Sequence, residues 1–219
     1  MTVVALSASY GSGGSVVGPA LAERLGVPFI DRAIPLAVAD LLHVSYDDAA
    51  AHDNQASTGW LERVLSGFVG GDTGGPAPLP ADLVSPEDFR RATEEVLLQQ
   101  ASTGEGVILG RGAVALLRDR ADVLRVRLDG PARARARQAT QFDRSLDLER
   151  AERTLRQFDR THAAYLHRFY AADIGDCNLY HVVLDSTAIE LETCVEFLAR
   201  AARSLAAKGR ADPASTQDR

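Results

Sequence analysis

The residues Gly11-Ser12-Gly13-Gly14-Ser15 carry the chain's clearest chemical signal. Glycines in succession let a backbone turn several N–H groups toward one anion, and a serine hydroxyl beside them suits a phosphate-bound cation. An apolar run, Val3-Val4-Ala5-Leu6, precedes them, and a helix-like stretch ending near Leu25 follows. Strand, glycine-rich loop and helix in that order aim the positive end of the helix at a phosphate. Set against the phosphate-loop pattern G-x-x-x-x-G-K-[ST], the window Ala8 to Ser15 keeps Gly13 and Ser15, but Ala8 stands for the first glycine and Gly14 for the lysine. A glycine turn that binds nothing is the competing structural explanation. A dinucleotide fold also competes, because Gly11-x-Gly13 follows a strand and Asp31 lies at the end of a second one. Val16 would then occupy the third glycine position, where close helix packing needs no side chain.

The remaining candidates are mostly arginines. Arg153, Arg156 and Arg160 recur at spacings of three and four, which places them on one helix face, with Asp159 beside them as a partner or orienting acid. Arg133, Arg135 and Arg137 recur at spacing two and cannot share a face, so most of them are expected to be solvated. Arg111 follows a short apolar strand, and its planar fork suits a phosphate or a base edge. His162 and His167 are five apart, which does not stack two metal ligands on one helix. Cys177 and Cys194 lack the spacing of a metal or redox pair and read as reduced thiols.

These residues need a scaffold. Short apolar runs at Val27-Ile30, Gly106-Gly110, Val123-Leu128 and His181-Leu184 join the first as five strands. Helical patterns fall between them, at 33–42, from Pro86 to about Ser102, up to Leu117, over 131–142 and 148–170, and finally over 189–206. Gly26 is placed to end the first helix. Ser85-Pro86-Glu87-Asp88 supplies an N-cap, a first-turn proline and acids. Thr187 with Glu190 predicts a capping box. Strands alternating with helices imply a mainly parallel sheet covered on both faces, with the ligand at the carboxyl ends of the strands. The first loop, Asp31-Arg32, Gly110-Arg111 and the stretch after Leu184 converge there. Residues 67–85, rich in Gly and Pro, read as a mobile loop, and 208–219 as a disordered tail.

At 219 residues with 46% hydrophobic positions, the chain suffices for one sizeable core. Its net charge of −6 argues against a general nucleic-acid binder. No apolar run reaches membrane-helix length, and a cytoplasmic location is expected. Lys208 is the only lysine, so no other lysine can replace the one missing from the loop.

Several stretches resemble the cytidylate-kinase-like family. They are Ser7 through Gly18, Leu21 through Arg32, Val107-Ile108-Leu109-Gly110-Arg111-Gly112 with Leu117-Arg118-Asp119, Val123 to Arg137, and Gly175-Asp176 through Tyr180 into Leu184-Asp185-Ser186. The resemblance implies an α/β, three-layer P-loop fold with a five-stranded parallel sheet, in one domain over 1–207. It also implies a helical monophosphate-binding insertion at 43–103 and a helical lid at 131–170. ATP with Mg²⁺ would lie over Gly11, Ser12, Gly13, Gly14 and Ser15, with the Ser15 hydroxyl on the metal. Asp31, Arg32, Gly110 and Arg111 would hold a nucleoside monophosphate such as CMP or dCMP. Arg111, Arg156 and Arg160 would act on the transferring group, with Asp159 orienting. The alternative is a degenerate relative that binds a nucleotide or another anion without turnover, as a regulatory or interaction protein, because Ala8, Gly14 and Ser15 together lack the family's cationic contacts: family members commonly carry arginines at the positions of Ala8 and Ser15, and often one where His162 stands. The acid that follows the arginine in the family's Gly-Arg-Asp is here Gly112.

Overall fold

A computed structural model describes residues 2–30, 86–110 and 112–211. Asp31, Arg32 and Arg111, the helix expected at 33–42, the 67–85 loop and the last eight residues lie outside the described residues. The chain divides into two compact units, one of Met1–Asp31 with Gln99–Arg219 and one of Arg32–Leu98. In the second, the described part is the start of helix α2 (Pro86–Ser102), where Arg90 and Glu94 pair one turn apart.

The first unit is built on a five-stranded parallel sheet. Its strands are β1 (Thr2–Ala8), β2 (Phe29–Ile30), β3 (Glu105–Leu109), β4 (Val123–Asp129) and β5 (Val182–Asp185), in the order β2-β3-β1-β4-β5. The apolar alternation seen in the sequence sorts onto two faces. Val4, Leu6, Val107, Leu109, Leu124, Val126 and Leu128 form one core with helices α1 (Gly14–Leu25) and α6 (Leu191–Ala211). Short helix α3 (Ala113–Leu116) packs on β1. The long helix α5 (Leu148–Tyr170) packs against α3 and against α4 (Ala132–Phe142). On β4 the odd-numbered positions face away from the α1–α6 core, which carries Arg127 and Asp129 to the far side of the sheet. A parallel sheet leaves every strand's carboxyl end at one rim, and the strand order reverses at β1.

Two expectations at the chain's end are corrected. The capping box at Thr187 and Glu190 does not form, and α6 begins at Leu191. The Asp185 carboxylate takes the Thr187 N–H and hydroxyl, at 2.9 and 2.6 Å, and the Ala188 N–H at 3.2 Å. A short ionised side chain at the strand end outcompetes the helix cap for these donors. The helix then continues through Lys208 to Ala211, where a disordered tail was expected. Ala, Lys and Arg favour the helix strongly enough to carry Gly209.

Candidate functional site

Ser9 opens the loop at the carboxyl end of β1, its N–H donating to the Leu128 carbonyl at 3.1 Å. Gly11 and Gly13 adopt the left-handed conformation, with φ of 77° and 79°. Both need to be glycine for packing as well: a Cβ on Gly11 would collide with the Arg135 carbonyl, and one on Gly13 would stand 2.9 Å from Leu191 Cδ2. Gly13 is the N-cap of α1 and offers no side-chain cap. Val16 and Val17 both donate to the Gly13 carbonyl. The N–H groups of Gly11, Gly13, Gly14 and Ser15 meet no acceptor among the described residues. With the helix dipole behind them, they form a cradle of the kind that takes a phosphate. Ser15 is exposed in the first turn.

Gly14 explains the missing lysine. A Cβ there would collide with the Cβ of Ala8 and lie 3.3 Å from Leu109 Cδ1. The two departures from the phosphate-loop pattern, at the first glycine and at the lysine, are therefore one packing event.

Beneath the loop sits a buried charge network that the sequence did not single out. Arg135, expected among solvated arginines, is 6% exposed. Its guanidinium donates to the Gly130 carbonyl at 2.8 Å, to the Tyr10 carbonyl at 3.0 Å and to both oxygens of Asp159, the nearer at 2.7 Å. Its Nε also lies 3.3 Å from Asp129 Oδ1 as an ion pair, although that oxygen has no hydrogen-bond donor among the described residues. Arg127 bridges Asp129 at 2.7 Å, the Ser9 hydroxyl at 3.2 Å and the Ile174 carbonyl at 2.9 Å. Burial alone would raise the Asp129 carboxyl, but the hydrogen bond and charge of Arg127 outweigh it and hold the group below its ordinary value. Two guanidiniums and two carboxylates cancel, so this network adds no net cation where the lysine's charge would be.

His162 lies buried next to this network, its ring edge-on to Phe158 at 5.6 Å between centroids. Burial, reinforced by the Arg127 charge, pulls it down to about 4, so it is neutral at pH 7. Phe158 in turn meets Tyr10 of the loop at 6.0 Å.

Of the arginines expected to act, Arg156 and Arg160 lie on the opposite side of α5 from its buried stripe of Ala151, Leu155, His162 and Leu166, given ~100° per residue. With Arg153, Gln157 and Thr161 they line a groove of about 360 Å³. Arg153 pairs with Glu149 and Arg156 with Glu152, each one turn back. Asp159, expected to orient them, instead holds Arg135. Gly110, at the end of β3, donates to the Leu6 carbonyl at 2.9 Å, which seats it beside the loop. Gly112 makes room for Tyr170: a Cβ there would stand 2.5 Å from Tyr170 Cε2. An aromatic ring thus occupies the space beside the position where the family's acid would be.

Among the described residues no helix is long and apolar enough to cross a membrane, and no cluster of three metal-ligating side chains occurs. No curated protein matches the chain. Among solved structures, an uncharacterized protein from Eubacterium ventriosum superposes with a TM-score of 0.63 at 16% identity, covering 93% of this chain and 99% of its own. A gluconokinase from Sinorhizobium meliloti superposes at 0.51 with 20% identity, covering 93% and 95%. Identities this low speak for a shared fold, the P-loop kinase architecture. The sequence pattern of the cytidylate kinase-like family matches residues 3–188, and with its parallel sheet in the order 2-3-1-4-5 and its glycine loop on the central strand, the chain belongs to that family.

Proposed function

We propose that the protein transfers a phosphoryl group from ATP to a nucleoside monophosphate of the CMP or dCMP kind. The observation that carries this reading is the cradle of acceptor-free N–H groups at Gly11, Gly13, Gly14 and Ser15, set at the amino end of α1 and at the carboxyl rim of the sheet. Those groups fit a phosphate, and the exposed Ser15 hydroxyl in the same helix turn fits Mg²⁺. Bound ATP and Mg²⁺ would supply the transferable group and neutralise its charge. This chain's part is to hold the phosphates through Gly11 to Ser15, to bind the acceptor through Asp31, Arg32, Gly110 and Arg111, and to bring Arg156 and Arg160 onto the transferring group. A cytoplasmic setting, where nucleotides are abundant, accords with this reading. The test is incubation with ATP, Mg²⁺ and a panel of nucleoside monophosphates. ADP formed with CMP or dCMP is expected, and no ADP with any acceptor removes the proposal.

A second reading, nucleotide binding without turnover, is favoured by the pairing of Arg127 and Arg135 with carboxylates. Losing one electrostatic donor typically costs about a hundred- to a thousandfold in rate. Calorimetric binding of ATP without ADP formation would select this reading.

A further inference from the structure

Three consecutive carbonyls of the loop are each held by a side chain from elsewhere in the chain. The Tyr10 carbonyl accepts from Arg135 Nη1 at 3.0 Å, the Gly11 carbonyl from Gln138 Nε2 at 3.0 Å, and the Ser12 carbonyl from the Ser186 hydroxyl at 2.7 Å. The Ser9 carbonyl completes the series by accepting from the Ser12 N–H and hydroxyl, at 3.0 and 2.7 Å. Arg135 and Ser186 are buried donors, 6% and 1% exposed. Ser9, Ser12, Gly13 and Gly14 are themselves buried, so each of these carbonyls has a fixed protein donor and with it a fixed direction.

A trans peptide points its N–H away from its carbonyl. Holding the Tyr10 and Ser12 carbonyls therefore fixes the Gly11 and Gly13 N–H groups on the opposite side. The Gly13 carbonyl, held by Val16 and Val17, does the same for the Gly14 N–H. These are the N–H groups that lack acceptors. Glycine peptides would otherwise sample many orientations, and a site whose donors are already aimed loses less on binding.

We infer that Arg135 and Ser186 are positioning residues that preset the Gly11 and Gly13 N–H groups for the oxygens of a polyphosphate, with Gln138 steadying the peptide between them, so that backbone preorganisation carries binding that a lysine carries in the usual phosphate loop. The inference rests on the proposed function, since it deepens the same site. Its ligand chemistry is a phosphoryl oxygen, found alike in a nucleotide and in pyrophosphate.

The test is calorimetry on the full chain with Mg²⁺-ATP and, separately, with pyrophosphate. Wild type is compared with Gln138→Ala, Gln138→Glu and Ser186→Ala, alongside thermal melts and amide NMR. Ser186→Ala is expected to weaken both ligands about five- to tenfold, the worth of one hydrogen bond, and Gln138→Ala and Gln138→Glu by less, because the Ser12 N–H of the peptide that Gln138 holds is already bonded to the Ser9 carbonyl. Melting temperatures of the Gln138 variants should stay near wild type, and pyrophosphate should shift the wild-type Gly13 and Gly14 amides. ATP bound without pyrophosphate would assign recognition to the nucleoside and overturn the inference. Affinities equal to wild type in all three variants, or no binding by wild type, would also overturn it. Wild-type binding without ADP formation removes the proposed reaction and leaves the inference standing, whereas turnover with unaffected variants does the reverse.

Discussion

Ala8 and Gly14 compete for the same space: a side chain on Gly14 would run into the Ala8 Cβ. Restoring the lysine alone therefore fails sterically, because Gly14→Lys places its first carbon in an occupied position. The double variant Ala8→Gly with Gly14→Lys frees that space. Calorimetry with Mg²⁺-ATP should show tighter binding in the double variant than in wild type, whereas Gly14→Lys alone should lower the melting temperature. Equal stability of the two variants would refute the packing argument.

Arg135 has its charge buried and shared between two carboxylates. Removing one partner of a buried pair strands the other, at a cost of about 3–5 kcal/mol where both are well buried. Asp159 is about one-third exposed, with 34% of its side chain accessible, so the lower end applies. Asp159→Asn should lower unfolding stability by about 2–3 kcal/mol in urea titrations. Arg137→Ala, on the exposed side of α4, should stay within about 0.5 kcal/mol.

His162 makes stability depend on mild acid. Its folded value is about 4 against the ordinary 6.5, so below 6.5 the unfolded chain binds the proton that the folded chain refuses. Stability is therefore full above 6.5 and falls as the pH drops from 6.5 toward 4, by about 3 kcal/mol in all. Asp129, held below its ordinary value, acts in a separate window: its contribution is present above the usual carboxylate range and is lost as pH falls through its lowered value. Urea titrations between pH 4 and 7 should show the His162 slope, and His162→Phe should flatten it. An unchanged slope in that variant would assign the effect elsewhere.

Gly112 and Tyr170 should be energetically coupled. Gly112→Asp, which writes the family's acid back into the chain, puts a Cβ against the Tyr170 ring at a φ of 71°. The single variant should melt lower than wild type. Combined with Tyr170→Ala it should lose less than the sum of the two single effects, with a coupling of about 1 kcal/mol in a double-mutant cycle. Additive losses would show that the ring yields without cost.

Much of the frame was legible in the sequence. Val3 to Leu6, Gly106 to Gly110 and Val123 to Leu128 are short apolar runs bounded by polar and turn residues, and each forms a strand within two residues of expectation. Helices at 131–142 and 148–170 followed from periodicity and match α4 and α5. The capping box failed because Thr187 had a stronger acceptor in Asp185, and pattern matching weighs one pair without its rivals.

The candidate site was legible in part. The glycine loop announces itself because positive φ and close packing exclude side chains at Gly11 and Gly13, a constraint written directly in residue type. Arg133, Arg135 and Arg137, in contrast, are the same residue at even spacing on one helix. Only Arg135 is buried, because Asp159, 24 positions later, is brought against it when α5 packs on α4. The sequence alone thus determined the family, the order of strands and helices, and which loop would present its backbone. Tertiary structure decided which arginines carry charge inward, why residue 14 has no side chain, and which donors hold the loop, since each depends on a contact between residues far apart in the chain that local periodicity does not encode.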